Sequence, residues 1–226
     1  MPSPCTSTFP LKELLIENTT VFYEDSFENL LLYFSKEEAK NFVHLLHEAQ
    51  LHPKKIYADV LAKKELYPNN PMLDNLLTFL YFQNKEMKKA EELIVDGYHQ
   101  YPEYFFAKIN YADQCLRLKK WDQIPLIFPS FDLTTLFPDK TKFHVSEFRG
   151  FMIVVCRYFL CIKQKDQAKL FYQKALLADP SHPSLISLEK ELFSFNCFKK
   201  WFCRLKYIYR EFLTKKHHAH PKKQPK

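Results

Sequence analysis

Residues 87–102 read MKKAEELIVDGYHQYP, and residues 165–180 read KDQAKLFYQKALLADP. In each stretch an alanine is followed by a large apolar residue four positions later, a small residue after seven and a proline after twelve. Side chains at this spacing share one face of a helix, and proline cannot continue the helix. The stretches therefore predict two helices of one kind, each packed closely on a neighbour at its small residues, Ala90 and Gly97 in one and Ala168 and Ala175 in the other.

The prolines also set a period. Pro68 and Pro102 are 34 residues apart, and Pro180 follows Pro102 by 78 residues, which is two such periods with ten residues added. A fixed period indicates a repeat architecture, and 34 residues is the period of the tetratricopeptide repeat, a pair of antiparallel helices. The chain resembles that family over roughly residues 36–196, with one repeat degenerate.

The resemblance implies an all-α fold, a right-handed superhelical stack of antiparallel helix pairs with N-terminal and C-terminal capping helices. Ser35 and Glu38 form a capping box that opens the first helix. The predicted helices are Lys36 to about Gln50, Lys54–Tyr67, Pro71–Phe82, Met87–Gln100, Tyr104–Leu118, one from about Trp121, Val145–Ile162, Asp166–Ala178 and His182 to about Phe195. The predicted domains are 1–34 with a capping helix, the repeats at 35–196, a basic amphipathic helix at 197–214 and a disordered tail at 215–226.

Two places depart from a regular stack. Before the repeats, Ser26 is a predicted N-cap, and Phe27, Leu30, Leu31 and Phe34 follow on one helical face. In the third pair, Pro125 and Pro129 interrupt the second helix, and the ten extra residues fall around 130–141. We expect a shortened helix and a loop there, because an interior proline removes a backbone donor.

The composition excludes several classes of enzyme. Gly97 and Gly150 are the only glycines, so no glycine-rich phosphate-binding loop can form. The six cysteines contain no C-x-x-C pair and no zinc-site spacing, and no serine has the context of a catalytic nucleophile. We therefore predict no catalytic residues, no cofactor and no metal site.

In the family the first helices of the pairs line a concave groove that binds peptides. Apolar residues, amides and two arginines there suit an extended or helical peptide with an acidic contact. The groove candidates are Asn75, Phe79, Phe82, Asn110, Asp113, Arg117 and Arg157, with Met72, Leu76, Gln83, Phe106, Ile109, Ile153, Val154 and Leu160 in the same register. The alternative for each of them is a position in the core between helices. Asn75 and Phe79 stand where the family's chaperone-tail binders carry Lys and Asn, which disfavours that partner.

Charge is concentrated at the C-terminus. Residues 197–226 hold ten Lys and Arg and one acid, a net charge of +9, whereas residues 1–196 have a net charge of −2. The basic candidates in the predicted helix at 197–214 are Lys199, Lys200, Arg204, Lys206 and Arg210. This helix either lies on an anionic membrane or nucleic acid, or caps the repeat stack.

The leading functional hypothesis is a non-enzymatic scaffold or adaptor that binds a protein or peptide in the groove. One alternative is a bacterial secretion-type chaperone or secreted effector, and another is a peripheral membrane or nucleic-acid binder that acts through the basic helix. No signal peptide or membrane span is recognisable. We therefore expect a cytoplasmic protein, or one exported by a specialised secretion system without a cleaved signal peptide.

Overall fold

The computed structural model describes residues 13–23 and 30–193, and this part of the chain is mostly helical. Its α-helices are α1 (Lys36–Leu51), α2 (Pro53–Leu66), α3 (Pro71–Gln83), α4 (Met87–Gln100), α5 (Phe105–Arg117), α6 (Ile124–Ile127), α7 (Leu133–Leu136), α8 (Val145–Cys161), α9 (Lys165–Ala178) and α10 (Pro183–Leu192). Its strands are β1 (Glu13–Ile16), β2 (Thr19–Phe22) and β3 (Lys142–His144). The chain divides into two compact units, one ending at Ser181 and the other beginning at His182 and containing α10. No described helix has the length and apolar character needed to cross a bilayer.

The helices begin where their capping residues predict. The Ser35 hydroxyl accepts from the amide of Glu38, and the Glu38 carboxylate accepts from the amide of Ser35, which confirms the capping box. At α3, the side chain of Asn70 accepts from two amides of the first turn and Pro71 occupies the first helical position. The predicted bounds of the long helices therefore agree with the structure to within one or two residues, except that α10 ends at Leu192, about three residues before its predicted end.

One of the four predicted small-residue contacts, the one at Gly97, shows why sequence spacing alone is insufficient. Ala90 and Ala168 are completely buried, as the prediction of close helix crossings requires. Gly97 is also buried, but a Cβ atom built on it would meet no atom within 4 Å. The expectation that Gly97 marks a tight crossing is therefore wrong, because the space beside it is a small cleft.

Three helix connections share one turn that the sequence did not reveal. Lys85, Lys119 and Lys163 follow the ends of α3, α5 and α8, and each has a positive φ, between 59° and 63°. At each turn the lysine amide and the next one bond back to carbonyls near the end of the preceding helix. The intervals between these lysines are 34 and 44 residues, the repeat period and that period with ten residues added. The backbone thus repeats with the period seen in the prolines.

The third pair is irregular, as predicted. After α5 the chain makes a 3-10 turn (Trp121–Gln123), and α6 follows with Pro125 in its first turn and ends at Ile127. The added residues contain the short helix α7 and the strand β3. Aromatic rings fill the space around them: Phe105 contacts Phe128, Phe137, Phe143 and Phe151, with ring centroids 4.8–6.3 Å apart.

The N-terminal segment differs from the prediction. Residues 13–22 form a hairpin of β1 and β2, and β2 pairs in parallel with β3, so that Val21 lies opposite Phe143. The hairpin also reaches α9, since the Tyr23 hydroxyl donates to the Ala178 carbonyl at 2.8 Å.

Near α1, the predicted apolar face of the N-terminal segment is confirmed in part. Leu30 and Phe34 are buried among residues of α1–α3, whereas Leu31, predicted on the same apolar face, is half exposed. The N-terminal cap prediction of Ser26 and Phe27 lies outside the described residues. Among the described N-terminal residues, 13–23 therefore pack near α9, and 30–34 pack against α1–α3.

Candidate functional site

The seven groove candidates lie on α3, α5 and α8, the first helices of three successive pairs. We call them the three-helix face: Asn75, Phe79, Phe82, Asn110, Asp113, Arg117 and Arg157. None is fully buried, so each is accessible to a partner. Two of the three helices that carry them begin at polar caps, Asn70 on α3 and His144 with Glu147 on α8. The residues of the face therefore lie on three α-helices, each of 13 residues or more.

Two asparagines connect α3 to α5. Nδ2 of Asn110 donates to Oδ1 of Asn75 at 2.8 Å, and both side chains are partly buried. A primary amide has two donor hydrogens and an acceptor oxygen. This bond leaves the Nδ2 donors of Asn75 and the Oδ1 acceptor of Asn110 unused, and a peptide backbone carries both complementary groups.

Charged side chains connect α5 to α8 and to α4. Arg157 contacts Asp113 at 2.9 Å, and Arg117 contacts Asp113 at 3.3 Å and Glu91 at 3.4 Å. About a third of each of these four side chains is exposed, so solvent screens the pairs and each contributes about 1 kcal/mol or less. The two arginines are neutralised by two carboxylates. Neither cation is unpaired, whereas the sequence analysis had assigned both arginines to an acidic contact with a partner.

Aromatic side chains give the face its apolar part. Phe79 is 36% exposed, and Phe82 is partly buried beneath the Arg117 guanidinium, which lies 5.4 Å from its ring centroid. A cation over a ring holds the arginine in place. Phe79 therefore offers an anchor for an apolar side chain of a partner.

Four of the eight other groove predictions were wrong. Leu76, Ile109, Ile153 and Val154 are buried, so they belong to the core between helices. Met72, Gln83, Phe106 and Leu160 are at least partly exposed. The apolar register predicted from sequence therefore mixes core positions with surface positions.

A small cleft lies beside the asparagine pair. Its lining includes Asp74, Gly97 and Tyr101, and its free space holds only about one or two water molecules. Burial raises the pKa of Asp74 above its ordinary value, although its ion pair with Lys64 opposes the rise. Burial and the neighbouring Asp74 carboxylate raise the pKa of Tyr101 to about 12. The cleft is too small for a cofactor.

Glu91, Asp74 and Lys64 were not predicted from sequence. Glu91 and Lys64 lie on second helices, which the groove prediction did not consider, and Asp74 lies in the first turn of α3. A charged residue at such a position resembles any solvated surface residue until the fold brings its partner close. The burial of Asp74, 5% exposed, has no signal in the sequence.

Other predictions concern residues and metals outside this face. Lys199, Lys200, Arg204, Lys206 and Arg210, and with them the domains at 197–214 and 215–226, lie outside the described residues. Within 13–23 and 30–193, no cluster of three His, Cys, Asp or Glu side chains is arranged to hold a metal ion.

No protein-family model matches the sequence, and no curated protein or solved structure was found to be similar to it.

Proposed function

We propose that the chain is a tetratricopeptide-type repeat protein, a right-handed stack of helix pairs, and that it binds a protein partner without catalysing a reaction. The observation that carries the proposal is that side-chain contacts connect the neighbouring helices of the three-helix face. Contacts join Asn75 to Asn110, Phe82 to Arg117, and Asp113 to Arg117 and Arg157, across three helices. A face that extends across three neighbouring helices suits an elongated ligand more than a compact one.

The repeat assignment rests on two physical features. The buried Ala90 and Ala168 allow close helix packing at equivalent positions of two pairs. The left-handed lysines recur at the repeat spacing at the ends of three first helices. Helix pairs of equal geometry stack with their first helices side by side, which creates an extended binding surface.

The chemistry of the face defines its partner. The charges of Arg117 and Arg157 are balanced by Asp113 and Glu91, so affinity does not depend on a strongly acidic ligand. The amide pair offers hydrogen bonds to a backbone, and Phe79 offers an apolar contact. We therefore propose a peptide segment with one aromatic or aliphatic anchor, bound with its backbone against Asn75 and Asn110.

The test is selection of binders from a random peptide library with the full chain, followed by affinity measurement on variants. Phe79→Ala should weaken the selected peptides about 30-fold, because a buried aromatic anchor contributes about 2 kcal/mol or more to binding. Asn110→Ala should weaken them less. The peptides should share an aromatic or aliphatic anchor.

The matched control is Leu66→Ala, which removes an exposed apolar side chain, 76% exposed, on α2 outside the three-helix face. This variant should bind the peptides as the unmodified chain does. The proposal fails if the library yields no binder, or if Phe79→Ala and Leu66→Ala bind the selected peptides equally well.

A further inference from the structure

The three lysine turns form one edge of the unit that ends at Ser181. The Arg117 guanidinium lies over the Phe82 ring, so the C-terminal ends of α5 and α3 are neighbours. Asp113 and Arg157, each four residues from its helix end, are 2.9 Å apart, so the ends of α5 and α8 are neighbours too. The turns that carry Lys85, Lys119 and Lys163 therefore lie next to one another.

Five exposed lysines at these turns have no carboxylate partner among the described residues. We call them the lysine edge: Lys85, Lys119, Lys120, Lys163 and Lys165. Of the carboxylates nearby, Glu86 is paired with Lys89 and Asp166 with Lys169, and Asp122 accepts from the side-chain amide of Gln123, so one unpaired negative charge stands against the five lysines. The edge therefore has an excess of positive charge although residues 1–196 as a whole are slightly negative.

A lysine in the left-handed backbone conformation destabilises the fold, because a residue with a Cβ atom is about 1 kcal/mol less stable at positive φ than glycine is. A glycine at the same position would relieve that strain and would give no charge. The chain has lysine at all three turns. This repetition places an ammonium group at each turn of the edge.

Large apolar side chains are exposed between the lysines. Met87 is 46% exposed, Leu118 is 48% exposed and Trp121 is 38% exposed. Met87 and Trp121 open the segments that follow the first two turns, and Leu118 directly precedes Lys119. Lysine beside tryptophan and aliphatic groups is typical of protein surfaces that lie at a membrane interface.

We propose that the lysine edge docks this protein on an anionic lipid bilayer. The ammonium groups bind headgroup phosphates, while Trp121, Leu118 and Met87 enter the interfacial region. Exposed methionine and leucine favour a bilayer over a nucleic acid, whose phosphate backbone offers them no apolar contact. The edge differs from the three-helix face, so this inference stands independently of peptide binding.

The first experiment is sedimentation of the full chain with vesicles of phosphatidylcholine and phosphatidylserine. The chain should bind these vesicles, and the double variant Lys119→Glu with Lys120→Glu should bind at least about 25-fold more weakly, since each lysine near an anionic surface contributes roughly fivefold. Binding should decrease steeply with salt. Circular dichroism of the variant should be unchanged, because both side chains are exposed.

A matched control distinguishes vesicle binding through the lysine edge from binding that depends on the overall net charge or on the basic segment at 197–226. Lys54→Glu with Lys55→Glu changes the same number of charges at an exposed lysine pair on α2. This variant should keep most of the vesicle binding. Equal losses in the two double variants would overturn the proposal, and so would edge-dependent binding to single-stranded RNA without binding to vesicles.

The second experiment uses tryptophan fluorescence. Trp121 and Trp201 are the two tryptophans of the chain, so Trp201→Phe leaves Trp121 as the sole reporter. With anionic vesicles its emission should shift to shorter wavelength and be quenched by brominated lipid. Emission that stays unchanged while the protein sediments with the vesicles would show that another surface binds them.

Discussion

The helix pair α3–α4 and the segment between α5 and α8 differ in how they are held together. In α3–α4, helices adjacent in sequence pack against each other, and the residues that define them lie between Asn70 and Gln100. Between α5 and α8, the second helix is reduced to α6, and the strand β3 pairs with β2, more than a hundred residues earlier. Local sequence therefore specifies the first region, whereas the second depends on a distant segment of the chain.

The largest expected effect is at the contact between these distant segments. Phe143 is completely buried and lies opposite Val21, with the rings of Phe105 and Phe137 within 6 Å. Phe143→Ala should lower the free energy of unfolding by about 3–5 kcal/mol, since it removes a large side chain and leaves a cavity. Urea denaturation measures the loss. A loss below about 1 kcal/mol would mean that β3 and its rings contribute little.

The next effect concerns the close crossings of the regular pairs. Ala168→Leu should destabilise the protein by about 1–3 kcal/mol or more, because the buried position has no room for three further carbons. Leu177→Ala on the same helix, a 43% exposed position, should change the stability by no more than about 0.5 kcal/mol. Thermal unfolding compares the two variants. Similar stabilities would contradict a close crossing at Ala168.

Gly97, in the pair α3–α4, tests the reverse case, a small residue beside which there is free space. Gly97→Ala should stabilise the protein by about 0.5–1 kcal/mol, since the new methyl group meets no atom within 4 Å and alanine restricts the unfolded chain. Chemical denaturation in parallel with Ala168→Leu measures this increase. A decrease would show that the cleft is narrower than described.

The smallest effect is a pH dependence within the regular region. Burial raises the pKa of Asp74 in the folded state, so folding favours its protonated form. The resulting stabilisation is fully present at a pH below the ordinary aspartate pKa of 3.8. It is lost as the pH rises through the raised pKa that Asp74 has in the folded protein. Relative to Asp74→Asn, the unmodified chain should become more stable as the pH falls through this window. Urea denaturation at several pH values measures the difference, and a decrease on acidification would contradict the sign.

The sequence predicted the helices where boundary signals are local. Ser35 with Glu38, and the prolines at positions 53, 71 and 183, mark helix starts through physical effects that act within one turn. The long helices were therefore found with nearly correct bounds. The effect of Pro129 on α6 was predictable for the same reason.

The hairpin and the turns were missed for a different reason. Residues 17 and 18, Glu-Asn, separate two short apolar and β-branched runs, which is a weak hairpin signal, but β3 has only three residues. Its partner is far away in sequence, so no local pattern predicts the pairing. Lysine at positive φ is also unpredictable, because glycine and asparagine are the residues that normally adopt it.

The candidate face was only partly predictable. Its seven members were chosen by helical register, and the structure joins six of them by direct contacts. The same register also selected buried residues such as Leu76 and Ile109. Burial depends on which neighbours pack on a helix, and spacing along one helix does not contain that information.

Amide hydrogen exchange followed by mass spectrometry tests most directly whether the N-terminal hairpin completes the irregular region. The comparison is between the unmodified chain, Phe143→Ala, and Leu80→Ala in the core of α3. We predict that Phe143→Ala accelerates exchange in residues 13–22, including the Thr20 amide that bonds to Thr141 at 3.0 Å, and leaves α1–α3 protected. Leu80→Ala should accelerate exchange in α1–α3 instead. Unchanged exchange of residues 13–22 in Phe143→Ala would contradict the account.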